Sequence, residues 1–264
     1  MTTKHLLNYA TQGQGEKVIL VHGLFGDLDN LKGLAQTLEE HYQIIRIDVP
    51  NHGQSPHWDH MDYPSFTSAL ISLMNELDID KAHLIGHSMG GKIVMATALS
   101  HPDRVSSVVA ADIAPAAYQP RHQTVFKALT SLPLDGSVDR KAALDHILGY
   151  GVDEGTAQFL LKSLRRGDEG FYWRMNLAGI INAYDAIIGW PYEGKHFNGE
   201  TLFIRGDESD YVTEQHRESI LAQFPNVQLK SIGGAGHWLH AQKPAIFNRL
   251  VKNFLDNQAS ETGR

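Results

Sequence analysis

Ser88 stands inside Gly86-His87-Ser88-Met89-Gly90, the G-x-S-x-G spacing that lifts a hydroxyl onto a sharp turn between a strand and a helix. A serine hydroxyl is a poor nucleophile at neutral pH, so this chemistry needs a base within reach to take its proton. The glycines two residues to either side keep Cβ atoms out of the crowded turn. The helix that follows offers free N–H groups and a positive dipole end to a developing oxyanion. The chain has fifteen histidines, so position must choose the base. His237 follows Gly233-Gly234-Ala235-Gly236 directly after the last strand pattern, where a base arriving last in chain order belongs. His240 is the runner-up, but Trp238-Leu239-His240-Ala241 reads as the start of a helix. His22 suits a loop-fixing role in its His-Gly turn. His87 adjoins the serine with its ring expected to face away, and His52, His57 and His60 sit in a polar loop.

A base of this kind needs a carboxylate to hold its tautomer and to stabilise the imidazolium. Asp112 ends the strand after the Ser88 helix. Asp207 and Asp210 flank Glu208-Ser209 after the Phe203-Ile204 strand. The usual carboxylate position in that second loop falls on Ser209, which can donate a hydrogen bond but cannot carry charge. Asp112 is therefore favoured as the acid, with Ser209 as its supporting donor and Asp210 as the substitute. For the oxyanion, the Met89 N–H is one donor. The other is expected from His22-Gly23-Leu24-Phe25, with the Leu24 N–H preferred to that of Phe25.

These residues need a scaffold that brings strand ends together. Val18 to Val21 is a continuous β-branched and leucine run, as in a strand covered on both faces. Gln43–Ile47, the run before Gly86, Val105–Ala111, Thr201–Ile204 and Val227–Ile232 repeat the pattern, and Lys4 to Ala10 reads as an edge strand. Helical spacing recurs between them in Leu31, Leu34, Ala35 and Leu38, then in Phe66, Leu70, Leu73 and Leu77, and finally in Phe247, Leu250, Val251 and Phe254. Alternating strands and helices predict an α/β fold with a mostly parallel twisted sheet covered on both faces. Between residues 116 and 198 the rhythm changes. Gln123–Leu132, Arg140–Tyr150, Gly155–Arg166 and Phe171–Ile188 all read as helices. The expected organisation is a core of residues 1–115 and 199–264 with a helical cap, 116–198, inserted after Pro115 to roof the site. Asn257 to Arg264 reads as a frayed polar tail.

Composition narrows the function further. With no cysteine, disulfides, thiolate catalysis and cysteine-based metal centres are excluded. A formal net charge of −7 disfavours a nucleic-acid partner, which wants clustered cations. No apolar run is long enough to span a bilayer and the first residues lack a signal core, so a cytoplasmic protein is expected. Subunit number stays open, a homodimer included.

With these residues in place, nearly the whole chain resembles the α/β-hydrolase family, and within it the bacterial YbfF-type esterases. The likeness is carried by Val21-His22-Gly23-Leu24-Phe25-Gly26-Asp27-Leu28-Asp29-Asn30, by Gly86-His87-Ser88-Met89-Gly90-Gly91-Lys92, by Ala111-Asp112-Ile113-Ala114-Pro115 and by Gly236-His237-Trp238. It implies an α/β-hydrolase fold, the acid on the Asp112 strand, and hydrolysis of carboxylic esters with short to medium acyl chains, with acyl-CoA thioesters by analogy. No metal or organic cofactor is expected. Asn51-His52-Gly53 departs from the Gly-His-Gly of many relatives, at a turn expected to lie apart from the chemistry. A serine at position 88 argues against haloalkane dehalogenase and epoxide hydrolase chemistry, which use an aspartate. A carbon–carbon bond hydrolase, a perhydrolase, or a weakly catalytic ligand receptor on this fold are the alternatives. In the cap, Phe126, Leu129, Phe159, Leu160, Phe171, Tyr172, Trp173, Tyr184 and Trp190 read first as the segment's own core and second as an acyl pocket. Lys162, Arg165 and Arg166 read as a solvated helix end rather than a phosphate site.

Overall fold

A computed structural model describes residues 7–262. Its strands are β1 (Tyr9–Gln12), β2 (Glu16–Val21), β3 (Tyr42–Ile47), β4 (Ala82–His87), β5 (Val105–Ala111), β6 (Leu164–Gly167), β7 (Gly170–Trp173), β8 (Thr201–Gly206) and β9 (Val227–Ile232). Its helices are α1 (Lys32–Leu38), α2 (Tyr63–Glu76), α3 (Met89–Ser100), α4 (Gln123–Ser131), α5 (Arg140–Gly149), α6 (Glu154–Leu161), α7 (Leu177–Asn182), α8 (Tyr184–Ile188), α9 (Arg217–Gln223), α10 (Leu239–Gln242) and α11 (Pro244–Thr262). Seven strands form one sheet in the order β1-β3-β2-β4-β5-β8-β9, with β1 antiparallel to β3 and every other pair parallel.

The continuous apolar runs have the reason anticipated for them. In β2, Ile19 and Val21 pack with α2 and α3 on one face. Val18 and Leu20 pack with α1 and α11 on the other. Helix α3 is buried from Met89 to Leu99, so the segment after Ser88 runs through the middle of the molecule. Asp62 caps α2 by accepting from the Ser65 N–H, with Pro64 in the first turn. Strand order reverses about β2, whose neighbours are β3 on one side and β4 on the other. The crevice at the carboxyl ends of β2 and β4 is where ligands sit in open α/β sheets, and both candidate oxyanion donors and Ser88 lie there.

Three local expectations are corrected. Gly155–Arg166 and Phe171–Ile188 are not continuous helices: α6 stops at Leu161, and β6 and β7 form an antiparallel hairpin. Gly170 sits at φ +134°, outside helical space, and Phe171-Tyr172-Trp173 favours extended backbone. The expected polar tail from Asn257 is instead the end of α11, helical through Thr262, continuing a turn in which Lys252 and Asp256 are paired and Leu255 is buried. Gly263 and Arg264 lie outside the described residues. The edge strand is Tyr9–Gln12, displaced towards the C-terminal side of the expected Lys4–Ala10, whose first three residues lie outside the described part. Among the described residues no helix is long and apolar enough to cross a membrane.

Candidate active site

The register of the sheet sets Ser88 beside Asp112. His87 pairs with Ala111, so each of the two residues is one step past the end of neighbouring strands. Their backbones are pinned there, Ser88 N–H donating to Ala111 O (3.0 Å) and Asp112 N–H to Ile204 O (2.7 Å). Both adopt positive φ, 54° for Ser88 and 52° for Asp112, a conformation that costs a non-glycine residue about 1–3 kcal/mol. The turn around Ser88 closes only over bare backbone. A Cβ on Gly86 would lie 2.1 Å from Gly90 O, and one on Gly90 would lie 2.2 Å from Val21 O.

His237 arrives from the loop after β9. Its Nδ1–H donates to Asp112 Oδ2 (2.7 Å), and the Ser88 hydroxyl donates to its Nε2 (2.9 Å). Asp112 is fully buried, and both of its oxygens accept further hydrogen bonds. Ser209 Oγ donates to Oδ2 (2.5 Å) and Gly206 N–H to Oδ1 (3.1 Å). Ser209 therefore stands where a supporting donor was expected. Asp210 is turned elsewhere and pairs with Arg121 (2.9 Å), its side chain 76% exposed. His240 lies at the start of α10 against His87, and burial lowers its pKa to about 4.

The loop after β2 separates its two candidate donors. Phe25, at φ +66°, gives its N–H to His52 Nε2 (3.1 Å), while His52 Nδ1–H donates to Pro50 O (2.9 Å). Burial lowers His52 to about 3, so the imidazole stays neutral and keeps its acceptor. Among the described residues no protein acceptor takes the Leu24 or Met89 N–H. Gly23 lets this loop approach, since a Cβ there would sit 3.2 Å from Ser88 Cβ. His22 fixes the loop as expected, donating from Nδ1 to Gly23 O (2.8 Å) and accepting the Val49 N–H at Nε2 (3.0 Å).

Three contributors were missed in the sequence. The Asn51-His52-Gly53 turn reaches the site through His52, contrary to expectation, and Asn51 at φ +66° takes up the left-handed conformation that glycine favours. His87 donates from Nε2 to His237 O (2.7 Å) and so holds the base's backbone, while burial keeps its pKa well below the usual histidine range. Tyr211 stacks on the His237 imidazole, centroids 3.7 Å apart and planes 16° from parallel, with the Arg121 guanidinium 4.2 Å from the Tyr211 ring centre. Asn is a known occupant of positive φ, which was a usable signal; the ring contacts of His87 and Tyr211 join segments far apart in the chain and leave none.

A cavity of about 520 Å3 opens on Ser88 and His237, walled by Val125, Val152, Phe159, Leu160 and Trp238. Of the aromatic and leucine candidates, Phe159 and Leu160 thus face it. Leu129 and Trp190 are buried in packing, Phe126 packs edge-on against Phe25 and Tyr184, and Trp173 donates to Leu129 O. Phe171 is half-buried and Tyr172 is 50% exposed. Lys162 and Arg165 line an adjoining groove that shares Asp153, Phe159 and Trp238 with the cavity and also holds Asp27 and Asp29, and Arg166 is exposed on β6.

Residues 17–244 match the family model for the alpha/beta hydrolase fold. The esterase YbfF of Escherichia coli (strain K12) is 40% identical over 247 residues, covering 93% of this chain and 95% of that protein. The sn-1-specific diacylglycerol lipase ABHD11 of Danio rerio is 34% identical over 252 residues, 92% of this chain and 80% of that one. Among solved structures, a marine microorganism esterase superposes with a TM-score of 0.90 at 34% identity, over 94% of this chain and 99% of its own.

Proposed function

The chain belongs to the α/β-hydrolase family as an esterase/lipase-type member, and from that premise we propose that it cleaves carboxylic esters of short to medium acyl chain through an acyl-enzyme on Ser88. In this reading residues 1–115 and 199–264 are the hydrolase core and 116–198 the cap. The observation that carries it is the unbroken hydrogen-bonded line from the Ser88 hydroxyl through His237 to buried Asp112, at the mouth of a cavity whose walls mix apolar side chains such as Val125, Val152 and Phe159 with polar ones such as Arg121, His122 and Asp153.

His237 Nε2 takes the Ser88 proton as Oγ attacks the acyl carbonyl, and Asp112 stabilises the imidazolium. The oxyanion is received by the Leu24 and Met89 N–H groups, both free to donate. The imidazolium then protonates the leaving alcohol. Water, deprotonated by the same imidazole, cleaves the acyl-enzyme and restores Ser88. Every step uses side chains and backbone of this chain. A thiol can leave as an alcohol does, so acyl-CoA thioesters belong in the substrate panel. The chain is assigned to the cytoplasm, which cell fractionation checks.

The test is a p-nitrophenyl ester series from acetate to decanoate, run beside acyl-CoAs and a dienoic diketone. Turnover of esters in the range of about 1–1000 s⁻¹ is expected, falling by about 10⁴-fold or more in Ser88→Ala and His237→Ala that keep the parent's circular dichroism. Parental turnover in both variants overturns the assignment. Stoichiometric acylation without turnover favours a receptor, and preference for the diketone favours carbon–carbon cleavage.

A further inference from the structure

Lys92 lies four residues beyond Ser88 on α3 and is only 2% exposed, yet no step above uses it. Its Nζ donates to Ile188 O (3.0 Å) and Gly189 O (2.8 Å), where α8 ends. Three ring centres surround the amine, Tyr118 at 5.2 Å, Tyr63 at 5.3 Å and Trp190 at 5.7 Å. Tyr118 belongs to the backbone leaving the sheet after β5, and Ile188–Trp190 to the backbone on its way back to β8. The two stretches are also joined directly, Tyr118 N–H donating to Ile188 O (2.9 Å), and Tyr63 of α2 donates its hydroxyl to Ile187 O (2.5 Å). The amine on the Ser88 helix thus shares the Ile188 carbonyl with the Tyr118 N–H, holding the returning stalk of the 116–198 segment at the point where the outgoing stalk is bonded to it.

Among the described residues no carboxylate answers this amine. The titratable groups facing it are Tyr63 from α2, Tyr118, Arg121 and His122 from the outgoing stalk, Tyr184 of α8, and Tyr211 after β8, with Tyr192 next to Tyr63. Arg121 is the charged one among them, and it is a second cation. Asp185 of α8 is exposed, and Asp112, near Tyr118, is bound to His237, Ser209 and Gly206. A buried ammonium without a counter-charge is costly, and burial lowers the pKa of Lys92 to about 7.

We propose that Lys92 is a positioning residue, an amine that fastens both stalks of the roofing segment to the helix carrying Ser88 and so sets the opening available to bulky esters. The proposal shares only its kinetic arm with the ester-hydrolase reading. Its pH dependence has a definite sign. Freed into water, a lysine titrates near about 10.4, whereas the enclosed amine does so at about 7. Between those values the released form holds a proton that the fastened form lacks. Falling pH therefore favours release, by up to about tenfold per pH unit, and the effect levels off below about pH 7.

Hydrogen exchange at the Tyr118 amide tests this in the wild type, Lys92→Met and Lys92→Gln between pH 7 and 9.5, each corrected for intrinsic exchange and referenced to α2 amides. Wild-type protection is expected to climb with pH, by several-fold to about tenfold per unit. In Lys92→Met, which has no donor, protection is expected to be lower and flat. Lys92→Gln, which donates but does not titrate, is expected to be flat and nearer the wild type. With esters, KM for p-nitrophenyl octanoate is expected to rise about tenfold in Lys92→Met while kcat on the acetate stays within about threefold. A pH-independent wild-type amide, a wild-type slope in Lys92→Met, or an unchanged octanoate KM overturns the proposal. Should Lys92→Met fail to fold, the wild-type exchange series decides alone. If no ester is turned over at all, the ester reading fails while the exchange result still stands or falls by itself.

Discussion

At the scale of single residues, the choice between two aspartates has a geometric basis. Asp112 meets His237 at 2.7 Å with no exposure to water, while Asp210 binds Arg121 at the surface. Asp112→Asn is expected to lower kcat by about 10⁴-fold, because the amide favours the wrong imidazole tautomer. Asp210→Asn is expected to stay within about threefold, since exposed ion pairs contribute little. Steady-state kinetics on one p-nitrophenyl ester checks both, and the opposite ranking removes Asp112 from the mechanism. Ser88, Asp112 and His237 were legible because each sits at a fixed offset from a strand end, and strand ends show in apolar runs. His52 was not, because a histidine in a polar loop carries no mark of being buried against Phe25 N–H. Tyr211 was missed for a related reason: stacking on His237 depends on how two loops meet after the strands have paired.

The elements themselves rest on close backbone contact at the Ser88 turn. A Cβ on Gly90 would fall 2.2 Å from Val21 O and 2.4 Å from His22 O, neither of which can swing away. Gly90→Ala is expected to destabilise the protein by about 3 kcal/mol, the upper end of ordinary overpacking, or to prevent folding. Gly155→Ala in the first turn of α6 is the contrast, since its nearest contact is Asp153 Oδ1 at an ordinary 3.4 Å and alanine is a better helix former than glycine. That variant is expected to be neutral or slightly more stable. Thermal unfolding of the pair separates the two outcomes, and equal melting temperatures contradict the elbow argument. The strands and helices of the sheet were legible from periodicity. The β6–β7 hairpin was not, because Gly155–Arg166 and Phe171–Ile188 each carry enough apolar residues to suggest a helix. The decisive signals were local: Gly170 at positive φ and a three-residue aromatic run.

On the scale of the whole molecule, the proposed acyl site is the cavity between the sheet and the 116–198 segment. Val152 lines that cavity without touching the Ser88, His237 and Asp112 line of hydrogen bonds. Val152→Trp is expected to lower kcat/KM for p-nitrophenyl octanoate by about tenfold or more and to leave the acetate within about threefold, because the added bulk occupies space that only the longer chain needs. Equal losses on both esters count against this cavity as the acyl site. His237 lies 149 positions after Ser88 and is delivered by the strand at the far edge of the sheet. On the proposed reading the hydroxyl therefore has no base until β9 has paired at that edge and brought its following loop across the strand ends. A chain cut before β9 is then expected to leave p-nitrophenyl esters intact, so ester turnover in a translation mixture would report the pairing of this edge strand.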